Sequence, residues 1–198
     1  DSKMVFGRAD GTYFRDFHLH PDAITHELGH AVVRSLVPRW RNSEEGKVLD
    51  EHLADVFAIT HQHRTIAKDS GERDPSRVKW LIGEDLVVHG TALRSMDDPG
   101  SAYPDHPDGK IKGDPQSLTY ERGADPHTNS GIPNHAFYQL AIPLGAPSWE
   151  LPFVIWFESL QMSVRVSKIV EFARQTLSEA RKRGVKDDLM RDAWEKAG

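Results

Sequence analysis

The sequence has no cysteine among its 198 residues. That excludes a disulfide framework and any thiolate-held zinc, so a metal here must be held by histidine and carboxylate side chains. It leaves the redox compartment open, because a cysteine-free chain survives equally well on either side of a membrane. No apolar run approaches the roughly 20 residues of a membrane span, and Asp1-Ser2-Lys3-Met4 contains no signal-peptide core. A membrane partner is therefore not expected. Blocks of like charge are also missing: 25 basic and 30 acidic residues are interspersed to give a formal net charge of −5. Without a basic stripe, nucleic acid is not an expected partner either. There is no internal repeat and no low-complexity tract, and at 38% hydrophobic the chain can bury a core as one compact domain.

What the sequence does have is His26-Glu27-Leu28-Gly29-His30. Residues four apart on an α-helix lie one above the other, so His26 and His30 can offer ring nitrogens to one ion. Glu27 falls beside them, free to take a proton from a water that the metal activates. The competing reading is a pair of surface histidines on an ordinary helix. Against it, Ala23, Ile24, Ala31, Val32, Val33, Leu36 and Val37 line the same segment with apolar side chains. This predicts a mostly buried helix over about 22–37, with Asp22 as N-cap and Pro38 as its end. Buried histidines need partners, and a metal is the simplest.

After a polar loop over 41–46, a second helix is predicted from about Lys47 through Val48, Leu49, Leu53, Val56, Phe57 and Ile59. Glu51 and Asp55 share one of its faces. Alone they would read as a solvated acidic face; beside the histidine motif they read as a third metal ligand and a carboxylate that accepts from a ligand imidazole. Residues 4–17 read as two short strands around Ala9-Asp10-Gly11. Residues 64–92 are polar and mixed, with an apolar knot at Val78, Trp80, Leu81 and Ile82. A turn-rich stretch from 93 to about 124 is long enough to be functional. A helix follows around Ala136, Phe137, Leu140 and Ala141, and three more are predicted over about 149–197.

Five motifs together resemble the thermolysin family of zinc metalloendopeptidases, of the gluzincin type. They are Met4-Val5-Phe6-Gly7 with Asp10-Gly11, the His26-to-His30 motif, Glu51-x-x-x-Asp55, Arg94-Ser95-Met96-x-Asp98-Pro99, and His127-x-Asn129-Ser130-Gly131-Ile132-Pro133-Asn134. The metzincin pattern does not fit, since Val33 and Leu36 stand where it needs Gly and His. The resemblance implies a mainly α (α+β) fold. Residues 1–20 would be a β-hairpin remnant of an N-terminal lobe, and residues 21–198 a compact zincin-like helical lobe. It implies that His26, His30 and Glu51 bind one catalytic Zn²⁺, with Glu27 as general base. His127 would donate to the oxyanion and Arg94 would hold a substrate carbonyl, with Asp55 and Asn134 in support. Phe14, Ala23, Ile82 and Leu93 match the leaving-group-side pocket, and the small Ala23 implies room for bulky apolar residues.

The sequence departs from the family in four places. The N-terminal sheet lobe is missing before Met4, so the gene is minimal or the chain trimmed, and an exposed edge at 4–17 would offer pairing to a partner or propeptide. Asp22 and Glu84 match ligands of the family's calcium site, but Lys79, Leu81 and Gln62 stand at other ligand places, so Ca²⁺ binding is expected to be weak or lost. Arg122 stands where the family has the aspartate partner of the oxyanion histidine, leaving Asp125 or Glu121 as substitutes. The family's tyrosine ahead of the glutamate helix has no match, with Trp40 or Arg41 nearest. The expected function is zinc-dependent hydrolysis of peptide bonds, in an extracellular bacterial setting by resemblance. The alternatives are a non-catalytic zinc- or peptide-binding module and an enzyme completed by a partner chain. The intact Glu27 argues against the first, since a binding module needs no base.

Overall fold

The computed structural model describes residues 4–9, 11–110 and 112–198. Two long helices form its spine. α1 (Pro21–Leu36) starts with proline at its first position, where the missing N–H costs nothing, and ends before Pro38. A 3-10 turn (Pro38–Asn42) leads into α2 (Glu44–Ser70). Ser43 caps α2 by accepting from Gly46 N at 3.0 Å, and Glu44 and Glu45 in its first turn complement the helix dipole. Gly71 ends it at φ +80°, a left-handed cap that glycine takes without strain.

Beyond α2 come two short antiparallel strands, β1 (Leu81–Ile82) and β2 (Arg94–Ser95), with Leu81 opposite Ser95 and Ile82 opposite Arg94. The helical remainder is α3 (Pro126–Asn129), α4 (Gly131–Leu144), α5 (Leu151–Met162), α6 (Ile169–Lys182) and α7 (Asp187–Ala197). Their inner faces meet α2 in one core around Leu49, Leu53, Ile59, Phe137, Trp156 and Phe172. No helix among the described residues is long and apolar enough to cross a membrane.

α1 and α2 approach unusually closely at Gly29, where a Cβ would stand 2.9 Å from Ala54 Cα. That contact sets the distance between the two motif-bearing helices. A side chain there would force them apart.

Three expectations are corrected here. Residues 4–9 and 11–16 form no hairpin; Asp10 lies outside the described residues. Phe14 instead makes a single antiparallel bridge to Val87, with Arg15 N donating to Leu86 O and Val88 N to Tyr13 O. A two-stranded ribbon is marginal by itself, and the local strand signal yields to pairing with a distant loop. The N-cap of α1 is His20, not Asp22, because Pro21 begins the helix. α2 starts at Glu44 and runs to Ser70, taking in much of the stretch read as polar loop. Trp40, one of the two residues nearest the place of the family's tyrosine, is buried in the core, with its indole N–H on Val166 O at 2.6 Å.

Candidate active site

α1 presents His26 and His30 on one face, with ring centroids 4.7 Å apart. α2 brings Glu51 up against both. Glu51 Oε2 lies 3.4 Å from His26 Nε2 and 3.4 Å from His30 Nε2. One ligand atom from each of the three side chains lies within 4.8 Å of the others. Tetrahedral zinc with bonds of about 2.0–2.1 Å separates its nitrogen and oxygen donors by roughly 3.3–3.5 Å. Glu51 Oε2 is also buried without a well-directed hydrogen bond. Such an atom, faced by imidazole nitrogens in a cysteine-free chain, fits a zinc ion.

Each ligand imidazole is backed by a carboxylate. Asp55 Oδ1 lies 2.8 Å from His26 Nδ1. Asp50 Oδ1 lies 2.9 Å from His30 Nδ1, and Arg34 Nε holds the other Asp50 oxygen at 2.8 Å. These contacts leave both Nε2 atoms to face Glu51 and raise ligand basicity. Asp55, with no solvent exposure, also takes a two-pronged contact from Arg94, Nε at 2.9 Å and a terminal nitrogen at 2.5 Å, and accepts from Asn134 Nδ2 at 2.9 Å. Asp55 and Asn134 thus stand behind His26. Asp50 was not singled out in the sequence; its one signal is its place next to Glu51.

The electrostatics follow from this crowding of carboxylates. Burial disfavours a charged His26, but Asp55 and Glu51 outweigh it and raise its pKa. Burial acts the same way on His30, and Asp50 and Glu51 raise it to about 9. Burial would raise Glu51, but His127, His26 and His30 hold it well below the usual carboxylate range. The field therefore favours positive charge where the three ligand atoms meet, and a divalent cation satisfies the same field.

Beside the trio lies a cavity of about 160 Å³. His26, Glu27, Arg94 and His127 form its polar wall, and Ala23, Ile82, Leu93 and Phe17 its apolar one. Glu27 is exposed there. Ala23, Ile82 and Leu93 line this cavity and Phe14 does not: Phe17, 5.7 Å from it ring to ring, lines the cavity instead. His127 Nε2 lies 3.0 Å from Glu51 Oε2, and its Nδ1 lies 2.7 Å from Asp125 Oδ1, so of the two substitutes for the missing aspartate it is Asp125 that is used. Glu51 raises the His127 pKa against burial. Asp22 and Glu84 are engaged by the protein itself: Asp22 Oδ2 accepts from Gly83 N at 2.6 Å, and Glu84 pairs with Lys79.

The family described as thermolysin metallopeptidase, alpha-helical domain, matches residues 42–198. The chain belongs to the thermolysin metallopeptidase family. An extracellular metalloprotease of Pectobacterium carotovorum subsp. carotovorum is 35% identical over 208 residues, covering 99% of this chain and 58% of that protein. A thermolysin of Alicyclobacillus acidocaldarius subsp. acidocaldarius is 36% identical over 144 residues, 71% of this chain and 23% of the relative. Among solved structures, the precursor of protealysin, a metalloproteinase from Serratia proteamaculans, superposes with a TM-score of 0.85 at 32% identity, over 98% of this chain and 62% of that one. This thermolysin-family chain thus spans less than two thirds of the length of these relatives.

Proposed function

We propose that this chain carries the metal site and catalytic wall of a zinc endopeptidase acting on peptide or protein substrates. The observation that carries this reading is the convergence of His26, His30 and Glu51 beside a cavity whose wall also holds Glu27. Held by those three ligands, Zn²⁺ would supply a Lewis acid for the scissile carbonyl and acidify a water.

The protein's own groups do the rest. Glu27 takes the proton of the attacking water and hands it to the leaving amine. His127, oriented by Asp125 on its Nδ1, donates to the oxyanion. Arg94, fixed by its fork on Asp55, holds a substrate carbonyl from the cavity wall. The apolar wall, with the small Ala23, accepts a bulky apolar side chain on the leaving-group side, because a cavity of on the order of 150 Å³ is enough to hold benzene. The extracellular setting named for the Pectobacterium relative extends to this chain as part of the same proposal.

The second reading is an enzyme completed by a partner chain, which would bind the metal but not cleave alone. Cleavage of a quenched peptide library by the zinc-loaded protein, with Glu27→Gln as control, separates the two. The first predicts chelator-sensitive cleavage before bulky apolar residues, lost in Glu27→Gln while zinc stays bound. One bound zinc with no cleavage would sink the stand-alone enzyme and favour the second.

A further inference from the structure

Four side chains behind the metal site have no solvent access: Asp55, Asn134, His52 and Trp156. They form one line of hydrogen bonds. Asn134 Nδ2 donates to Asp55 Oδ2 at 2.9 Å, Asn134 Oδ1 lies 2.7 Å from His52 Nδ1, and Trp156 Nε1 donates to His52 Nε2 at 2.7 Å.

The direction of every bond is forced from the far end. An indole N–H only donates, so His52 Nε2 must present its lone pair. The neutral ring then carries its proton on Nδ1, which donates to Asn134 Oδ1. With its oxygen engaged, Asn134 can only turn its NH₂ to Asp55, whose carboxylate only accepts. The reversed amide would set an oxygen against a buried anion with no water to relieve it. With the indole N–H donating to Nε2, the ring has room for one proton only and is neutral.

We propose that His52, backed by Trp156, is a positioning residue: it sets the amide of Asn134 and thereby holds the Asp55 carboxylate toward His26 and Arg94. The line of bonds stands on geometry alone; its consequence for metal binding rests on the zinc reading above. Apolar packing alone does not account for His52: its ring lies edge-on to Trp156 and Phe172, 6.3 and 6.2 Å between centroids, and an aliphatic side chain there would leave the Trp156 N–H and the Asn134 oxygen without these partners.

The first test uses the unmodified protein. Ring ¹⁵N shifts at pH 7 should identify His52 as the Nδ1–H tautomer; an Nε2–H ring would overturn the proposal whether or not the chain binds zinc. The second compares His52→Leu with His52→Asn, whose amide N–H₂ takes the place of Nδ1–H, by competition for zinc with a chromophoric chelator and by circular dichroism. His52→Leu should lose roughly 10- to 100-fold in zinc affinity while staying folded, as changes behind metal ligands do. His52→Asn should recover most of it. Equal losses in two folded variants, or no loss in His52→Leu, would leave His52 as core filling and overturn the proposal. Should His52→Leu not fold, the tautomer decides; an unmodified chain that binds no zinc would sink the zinc reading alone.

Discussion

Asp50 and Glu51, consecutive on α2, address one imidazole from opposite edges: Asp50 Oδ1 lies 2.9 Å from His30 Nδ1, and Glu51 Oε2 lies 3.4 Å from His30 Nε2. One residue would ligate alongside His30 while its neighbour orients the ring. Asp50→Ala should therefore weaken zinc binding by roughly 10- to 100-fold, with Asp50→Asn falling between because it keeps an acceptor but loses the charge. Chelator competition on the purified variants measures this. Unchanged affinity in Asp50→Ala would remove Asp50 from the site.

Gly29→Ala sets two effects against each other. Alanine gains about 1 kcal/mol of helix propensity over glycine. The new methyl, however, would stand 2.9 Å from the Ala54 backbone and 3.1 Å from the Phe57 ring, and overpacking of a core costs about 1–3 kcal/mol. Backbone cannot swing aside, so the cost wins. We expect a net destabilisation of about 1 kcal/mol in urea unfolding, with weaker zinc binding as α1 is pushed off α2. A variant as stable as the parent would mean that the two helices slide freely.

His63 supplies a pH dependence remote from the metal. Its Nε2 lies 2.8 Å from Lys79 O and its Nδ1 2.8 Å from Ser148 Oγ, and burial lowers its pKa to about 4. The unfolded chain, with an ordinary value near 6.5, binds the proton first. Stability contributed by the neutral ring is therefore full above about pH 6.5, falls with pH, and is fully lost below about 4, a change of about 3 kcal/mol. In His63→Gln the fall between pH 6 and 4 should be shallower by about 1 kcal/mol per pH unit. Parallel slopes in the two proteins would contradict it.

Calcium should do little at the place where the family's site would lie. Glu84 pairs with Lys79 and Asp22 accepts from Gly83 N, so two oxygen ligands are already committed, and the lysine brings a positive charge into the site. Calorimetry of the zinc-saturated chain should give the same thermal midpoint with and without millimolar Ca²⁺. An upward shift of several degrees, abolished in Glu84→Gln, would contradict this.

His26 with His30 and Glu51 with Asp55 were legible as pairs because helical spacing is a local property: each pair shares a face whatever the rest of the chain does. Asp50 and His52 were not, because flanking a ligand places them on other faces of α2, where their partners, His30 and Trp156, come from separate helices. The hairpin over 4–17 failed for the same reason in reverse, as a local strand pattern whose pairing partner, Val87, lies far along the chain. α2 was cut short because Thr60 through Ser70 is polar, although Gly71 carried the stop signal.

Asp55 has two oxygens and serves three elements: His26 on α1, Arg94 on β2 and Asn134 on α4. Energies at such a hub do not sum. Once one partner is lost the carboxylate shifts and the others are already impaired, so paired substitutions among these residues should cost less than their single costs added together. The back wall of the site then tolerates replacement as a set far better than piecemeal change.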